Sequence, residues 1–270
     1  IPSARSDEMD RLSEFWDKLS AADSSALLLD YDGTLAPFRV ERDQALPYPG
    51  VIGLLSAIRN ATTTRLIIIS GRSIDDLLPL LGLDPPPEIW GCHGWERLTA
   101  EGQRPDLGLP VQAKSGLNAA EGWCVGQGLG GCLERKPASV AIHWRGLSER
   151  EASRLRDRVN HGWQSIANEA SLEIHSFNGG LELRCPGKDK GTALMEILAS
   201  LRIDVPIAFL GDDLTDEDGF RAISGRGLGV LVQEKPRTTA AHVQIAPPEG
   251  LLAFLKTWRD NAFPRDKEEQ

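Results

Sequence analysis

The sequence predicts an α/β fold, a parallel sheet flanked by helices, with a smaller α+β unit inserted into it. Three observations carry this. Short apolar runs alternate with segments of helical spacing at both ends of the chain, the pattern of a parallel sheet covered on both faces. Three of those runs end in polar residues: "LLLDYD", "LIIIS" and "IAFLGDD". Between about residues 101 and 185 the pattern changes to antiparallel-looking strand pairs around one long helical stretch.

Taken in order, residues 7–20 place Met9, Leu12, Phe15, Trp16 and Leu19 at helical spacing. "SALLLDYD" is a first buried strand, "PGVIGLLSAIRNA" a helix with Pro49 near its start, and "TRLIIISGR" a second strand. "SIDDLLPLLGL" is a helix capped by Ser73 and ending near Gly82. "PEIWGCHGWE" is a short strand running into a glycine-rich turn. In the middle segment "GCLERK" and "SVAIHWR" form one strand pair, "LEIHS" and "GGLELRC" another, on either side of the helical "SEREASRLRDRVNHGWQSIANEA". The first pattern then resumes: "DKGTALMEILASL" as helix, "PIAFLGDD" as strand, "TDEDGFRAIS" as helix, "GLGVLV" as strand and "PEGLLAFLKTWRD" as closing helix. These boundaries give a core of residues 1–103 and 186–270 and an insertion of residues 104–185.

Composition narrows the partners. The chain has 270 residues, 41% hydrophobic and 26% charged, with a net charge of −9. It has no long Lys/Arg block, so a nucleic-acid surface is not expected. No apolar run reaches the roughly 18–20 residues of a membrane span. The start, "IPSARSDEMD", has no charged-then-apolar secretory pattern. Cys92, Cys124, Cys132 and Cys185 form no Cys-x-x-Cys pair and read as reduced thiols. A cytoplasmic monomer is the expectation.

Ligands of open parallel sheets bind beyond the carboxyl ends of the strands. Asp30 and Asp32 lie two apart, so in extended chain they point the same way and share a site. Carboxylates that close raise each other's pKa or recruit a cation. With Asp212 and Asp213 at another strand end, an oxygen-only set favours a hard divalent ion such as Mg²⁺. The same acids also serve as turn formers before Gly33, or as favourable charges at a helix start. Lys190 opens a helix, where the dipole disfavours a cation, and an acidic protein that binds an anion needs cations placed locally. In the insertion, the spacings 134/136 and 143/145 put Glu134 with Lys136, and His143 with Arg145, on common sheet faces. Such faces hydrogen-bond sugar hydroxyls or carry solvated cross-strand ion pairs.

"DYDGTL", the serine of "IIIS", "KG" at Lys190–Gly191 and "GDDLTDED" resemble, in order, the four motifs of the haloacid dehalogenase superfamily. "GCHGWE", "ERKPASVAIHWR" and "LELRCPGKDKGTAL" are similar to segments of trehalose-6-phosphate phosphatases, from about Leu27 to Leu255. Two positions depart from that pattern: Cys92 stands where Asn is common, and Trp144 where Tyr is usual. The resemblance implies a Rossmann-like core with a C2-type cap and a Mg²⁺-dependent phosphatase of the trehalose biosynthetic type. In that reading Asp30 is the nucleophile, Asp32 the general acid and base, and Ser70 and Lys190 the phosphoryl ligands. Asp30, Asp212 and the Asp32 carbonyl hold the metal, while Asp213 and Asp216 orient their neighbours. Glu134, Lys136, His143, Arg145 and Glu182 bind the sugar, and Gly33, Gly71, Arg72 and His93 complete the substrate-binding set.

Other readings stay open. A relative acting on sucrose phosphate or a mannosylglycerate phosphate would carry the same core motifs. A phospho-acceptor signalling domain would not need Asp32, and a non-catalytic regulatory domain would not need every motif residue filled.

Overall fold

The computed structural model describes residues 2–39, 41–144, 146–177 and 179–264. In chain order its elements are α1 (Pro2–Ala21), β1 (Ser25–Leu29), α2 (Val51–Ala61), β2 (Thr64–Ile69), α3 (Ile74–Leu81), β3 (Glu88–Gly91) and β4 (Glu96–Leu98). The next are α4 (Val111–Gly126), β5 (Leu133–Lys136), β6 (Ser139–His143), α5 (Glu149–Ala170), β7 (Glu173–Phe177) and β8 (Gly180–Arg184). The last are α6 (Lys190–Ala199), β9 (Ile207–Gly211), α7 (Glu217–Ile223), β10 (Leu228–Val232), β11 (Val243–Ile245) and α8 (Glu249–Asn261). They form two compact units, one of Ile1–Pro105 with Asp189–Gln270, the other of Asp106–Lys188.

The larger unit holds a seven-stranded sheet in the order β11-β10-β9-β1-β2-β3-β4. Every described pairing in it is parallel except that of β3 with the edge strand β4. The α/β expectation is met, and the physical reason is plain in the strands. All residues of β1, β9 and β10 are buried, as a strand covered on both faces requires. Pleating sends Leu27, Leu29, Leu66, Ile68, Ala208 and Leu210 to one face, where they pack with Phe15 and Leu19 of α1, Leu55 of α2 and Leu251 and Trp258 of α8. Phe209 points to the other face and meets Phe220 of α7, with ring centroids 5.4 Å apart. The ladder closes at its carboxyl end with the Asp30 N–H donating to the Leu210 carbonyl at 2.9 Å. Strand β1 is thereby tied to β9 just where both turn polar.

The smaller unit holds an antiparallel sheet in the order β5-β6-β8-β7. Its registers place Val140 opposite Leu183 and Ile142 opposite Leu181 on one face, with Ala141 opposite Glu182 on the other. The first face is apolar and α5 packs on that sheet, against β7 and β8. Glycines set how closely α4 and α5 approach. A Cβ on Gly116 would lie 2.2 Å from the Ala170 Cβ, and one on Gly162 would lie 2.0 Å from the Trp123 ring. Among the described residues no helix is long and apolar enough to cross a membrane.

Candidate active site

The chain leaves the β1 ladder after Leu29, and a tight turn follows. The Tyr31 carbonyl accepts from the N–H groups of Leu35 (2.9 Å) and Ala36 (3.0 Å), and Gly33 takes φ +83°. Within this turn the two acids, Asp30 and Asp32, take different partners. Asp30 is buried and meets the Lys190 ammonium at 2.7 Å through Oδ1, while its Oδ2 accepts from the Thr34 hydroxyl at 3.1 Å. Asp32 turns to Arg72, which donates from Nε at 2.7 Å and from its second terminal nitrogen at 2.6 Å. This two-pronged pair gives Asp32 its own cation.

Lys190, the first residue of α6, also donates to Asp216 Oδ1 at 2.7 Å. Asp216 Oδ2 accepts the backbone N–H groups of Asp212 (2.9 Å) and Asp213 (3.1 Å). Asp216 therefore spends both oxygens on holding its neighbours. Asp212 lies over the turn: a Cβ on Gly33 would sit 1.9 Å from its Oδ2. Carboxylate oxygens of Asp30, Asp212 and Asp216 lie within 4.8 Å of one another. Fully ionised, three carboxylates against one ammonium would leave two negative charges, which one divalent cation would match. The donors are all oxygens, and those of Asp30 and Asp212 are the less committed, so the set fits a hard divalent metal held chiefly by these two.

Electrostatics follow from burial and crowding. Burial pushes Asp30 well above the ordinary carboxyl pKa; Lys190 opposes this, and Asp216 and Asp212 add to it. Asp212 is pushed up to about 7 by burial and by the charges of Asp216 and Asp213. Burial also raises Asp216 against the pull of Lys190. For Lys190 burial works against the charge, but Asp216 and Asp30 outweigh it and the ammonium is held more tightly than usual. Asp213 goes the other way: Lys190 and the Thr215 hydrogen bonds overcome its burial and lower its pKa.

Ser70 directly follows β2 and is fully buried. Its N–H donates to the Trp90 carbonyl (2.8 Å), its hydroxyl accepts from the Arg72 N–H (3.1 Å), and its carbonyl accepts from the His93 N–H (3.0 Å). Cys92 and His93 both take left-handed backbone, φ 49° and 56°, which costs non-glycine residues on the order of 1–3 kcal/mol each. That turn lays the His93 ring on Gly71, where a Cβ would stand 2.6 Å from Nε2. It also brings the Cys92 N–H to the Arg72 carbonyl at 2.7 Å. Gly71, Arg72 and His93 are thus parts of one splinted loop. The Asp32 partnership of Arg72 and the Thr34 bond to Asp30 are features the sequence reading did not single out. The threonine of "DYDGT", four residues past the aspartate, was the available signal.

In the smaller unit one sheet face carries a polar network. His143 Nε2 and Glu134 are 2.6 Å apart, and Glu182 accepts from Lys136 at 3.2 Å and from Ser139 at 2.7 Å. Phe177 stands edge-on to His143 with centroids 5.4 Å apart and covers Gly180. The register explains the convergence, since Glu134 and Glu182 both lie opposite Ala141 on β6. Arg145 lies outside the described residues.

The family model described as trehalose-phosphatase matches residues 28–246. A trehalose-phosphate phosphatase of Mycobacterium avium is 29% identical over 257 residues, 87% of this chain and 62% of that protein. A Mycobacterium tuberculosis protein described as an uncharacterized glycosyl hydrolase is 29% identical over 249 residues, 85% of this chain and 18% of its own length. The chain thus spans less than two thirds of either relative. A crystal structure of a trehalose-6-phosphate phosphatase related protein superposes with TM-score 0.70 at 25% identity, covering 87% of this chain and 97% of that one.

Proposed function

Because the chain belongs to the trehalose-phosphatase family, we propose that it hydrolyses trehalose 6-phosphate to trehalose and phosphate, with Mg²⁺, as a cytoplasmic enzyme. The observation that carries this is the buried cluster of Asp30, Asp212 and Asp216 around Lys190. Asp30 and Asp212, with the Asp32 carbonyl, would hold the metal. When bound it supplies positive charge to the phosphoryl oxygens, a stabilisation that grows as the transition state forms.

The steps are those of the chain's own groups. An Asp30 carboxylate oxygen attacks phosphorus, the bond from phosphorus to the sugar oxygen breaks, and Asp32 gives that oxygen a proton. Water then attacks the phosphorus of the aspartyl phosphate while Asp32 takes back a proton, releasing phosphate and restoring Asp30. Both Asp32 oxygens accept from Arg72, so Asp32 can donate a proton only after that fork opens. Ser70 and Lys190 bind phosphoryl oxygens. The Gly33 turn and the loop of Gly71, Arg72 and His93 give the pocket its shape. Asp213 and Asp216 orient Asp212 and Lys190. Glu134, Lys136, His143, Arg145 and Glu182 bind the hydroxyls of the disaccharide.

The test is phosphate release from trehalose 6-phosphate, sucrose phosphate, mannosylglycerate phosphate and glucose 6-phosphate, with Mg²⁺ and with chelator. Trehalose 6-phosphate is expected to be the preferred substrate, and chelator to stop turnover. Asp30→Asn should lower kcat by at least ~10³. Preference for a monosaccharide phosphate, or a fully active Asn variant, overturns the proposal.

A further inference from the structure

The acids of the candidate metal site sit on a loop whose peptide groups are gripped from two sides. Asp216 takes the N–H groups of Asp212 and Asp213. The carbonyls of the same two residues point the other way and are met by Arg237, which donates to the Asp213 oxygen at 2.8 Å and reaches the Asp212 oxygen at 3.4 Å. Arg237 follows β10, 25 residues on from Asp212. Its other terminal nitrogen donates to Glu217 of α7 and to the Thr238 carbonyl. Glu217 is buried and its second oxygen accepts the Ala240 N–H at 2.7 Å. Burial opposes ionisation of Glu217, but these hydrogen bonds and Arg237 prevail and its pKa is lowered.

We infer that Arg237, braced by Glu217, is a positioning residue for the metal-ligating loop, fixing the Asp212 and Asp213 peptides so that the Asp212 carboxylate stays aimed at Asp30. The inference rests on the metal reading above and names one residue, Arg237, outside all four motifs. Three features separate it from an ordinary surface ion pair. The guanidinium touches the backbone of the two acidic residues, not their side chains, so it restrains rotation without neutralising the carboxylates that a cation needs. It is a fork that spans three chain segments, which a lysine cannot reproduce. Finally, the Arg237 Nε is buried without a hydrogen-bond partner among the described residues, a desolvation cost that the other contacts must offset.

The geometry also says why such a brace is needed. A carboxylate oxygen of Asp212 lies within 4.8 Å of ones on Asp30 and Asp216, so an unrestrained loop would relieve the crowding of like charges by swinging Asp212 away. Partners that orient metal ligands typically matter ~10–100-fold in metal affinity.

Calorimetric titration of Mg²⁺ and Mn²⁺ into the whole chain, alongside thermal melts with and without metal, tests the brace directly. Arg237→Gln should weaken both metals ~10–100-fold, and Arg237→Lys should recover only a small part of that loss. Glu217→Gln should weaken binding in the same direction by less. Unchanged metal affinity in Arg237→Gln, whatever its melting temperature, overturns the inference, because a purely structural arginine would move stability alone. If Arg237→Gln does not fold, Arg237→Lys at wild-type affinity overturns it equally. Absence of divalent-metal binding by the wild type would instead sink the metal reading on which it depends.

Discussion

Lys190 offers the sharpest test of the buried acid cluster. It stands 2.7 Å from both Asp30 and Asp216, with side-chain exposures of 5%, 4% and 0%. Replacing it by methionine keeps the volume and removes the charge. Breaking a buried ion pair from one side costs about 3–5 kcal/mol, because the remaining charges are left uncompensated. The larger unit counts 187 residues (105 and 82), a size at which each kcal/mol moves the midpoint by about 2–4 °C. Lys190→Met should therefore melt roughly 10 °C below the wild type at pH 7.5 in chelator.

The pH dependence has a definite sign. Asp30 and Asp216 already have pKa values above the ordinary carboxyl value, and loss of the ammonium raises them further. A carboxyl raised on folding contributes stability below its unfolded pKa and loses it as pH rises through the folded one. If the folded variant retains one more proton than the wild type, the gap between them grows by about 1.4 kcal/mol per pH unit. Melts at pH 5.5 and 7.5, followed by circular dichroism, should show a wider gap at the higher pH. A variant within about 1 °C of the wild type at pH 7.5, or a gap independent of pH, would refute the reasoning. Activity should fall ~10²–10³ in the same variant.

Gly33→Ala puts a Cβ 1.9 Å from Asp212 Oδ2 at a backbone φ of +83°; melts should fall by about 1–3 kcal/mol and calorimetry should show no metal binding. Glu182→Gln removes the carboxylate that Lys136 and Ser139 both contact; KM for trehalose 6-phosphate should rise ~10-fold or more, while hydrolysis of p-nitrophenyl phosphate, which has no sugar, stays unchanged.

The parallel strands were legible because burial on both faces writes them as unbroken apolar runs: Ser25–Leu29, Thr64–Ile69, Ile207–Gly211 and Leu228–Val232. The edge strands Glu96–Leu98 and Val243–Ile245 were not, since three residues carry no period. Helix α4 was also missed. Its glycines at 116, 122 and 126 weaken helical propensity, and Gly116 is there because α5 leaves no room for a side chain. That reason exists only in the packed pair. In the site, the motif acids stood out by their position after apolar runs. The partners that came from afar did not: nothing near Arg237 in the sequence distinguishes it from any other loop arginine.

The aspartates of "LLLDYDGTL" show how a strand end accommodates two acids two residues apart. Two carboxylates on one face would repel, and a shared cation is the obvious remedy. The chain instead turns at Tyr31, whose buried hydroxyl donates to the Ala45 carbonyl at 2.8 Å and anchors the bend. Each acid then finds its own cation, Lys190 for Asp30 and Arg72 for Asp32. The repulsion that remains is between Asp30 and residues brought in from β9, Asp212 and Asp216. That repulsion cannot be relieved by a local turn, because the Asp30 amide is hydrogen-bonded to β9 itself. A sheet that joins β1 to β9 side by side thus forces their terminal acids together, with the ammonium of Lys190 set between Asp30 and Asp216.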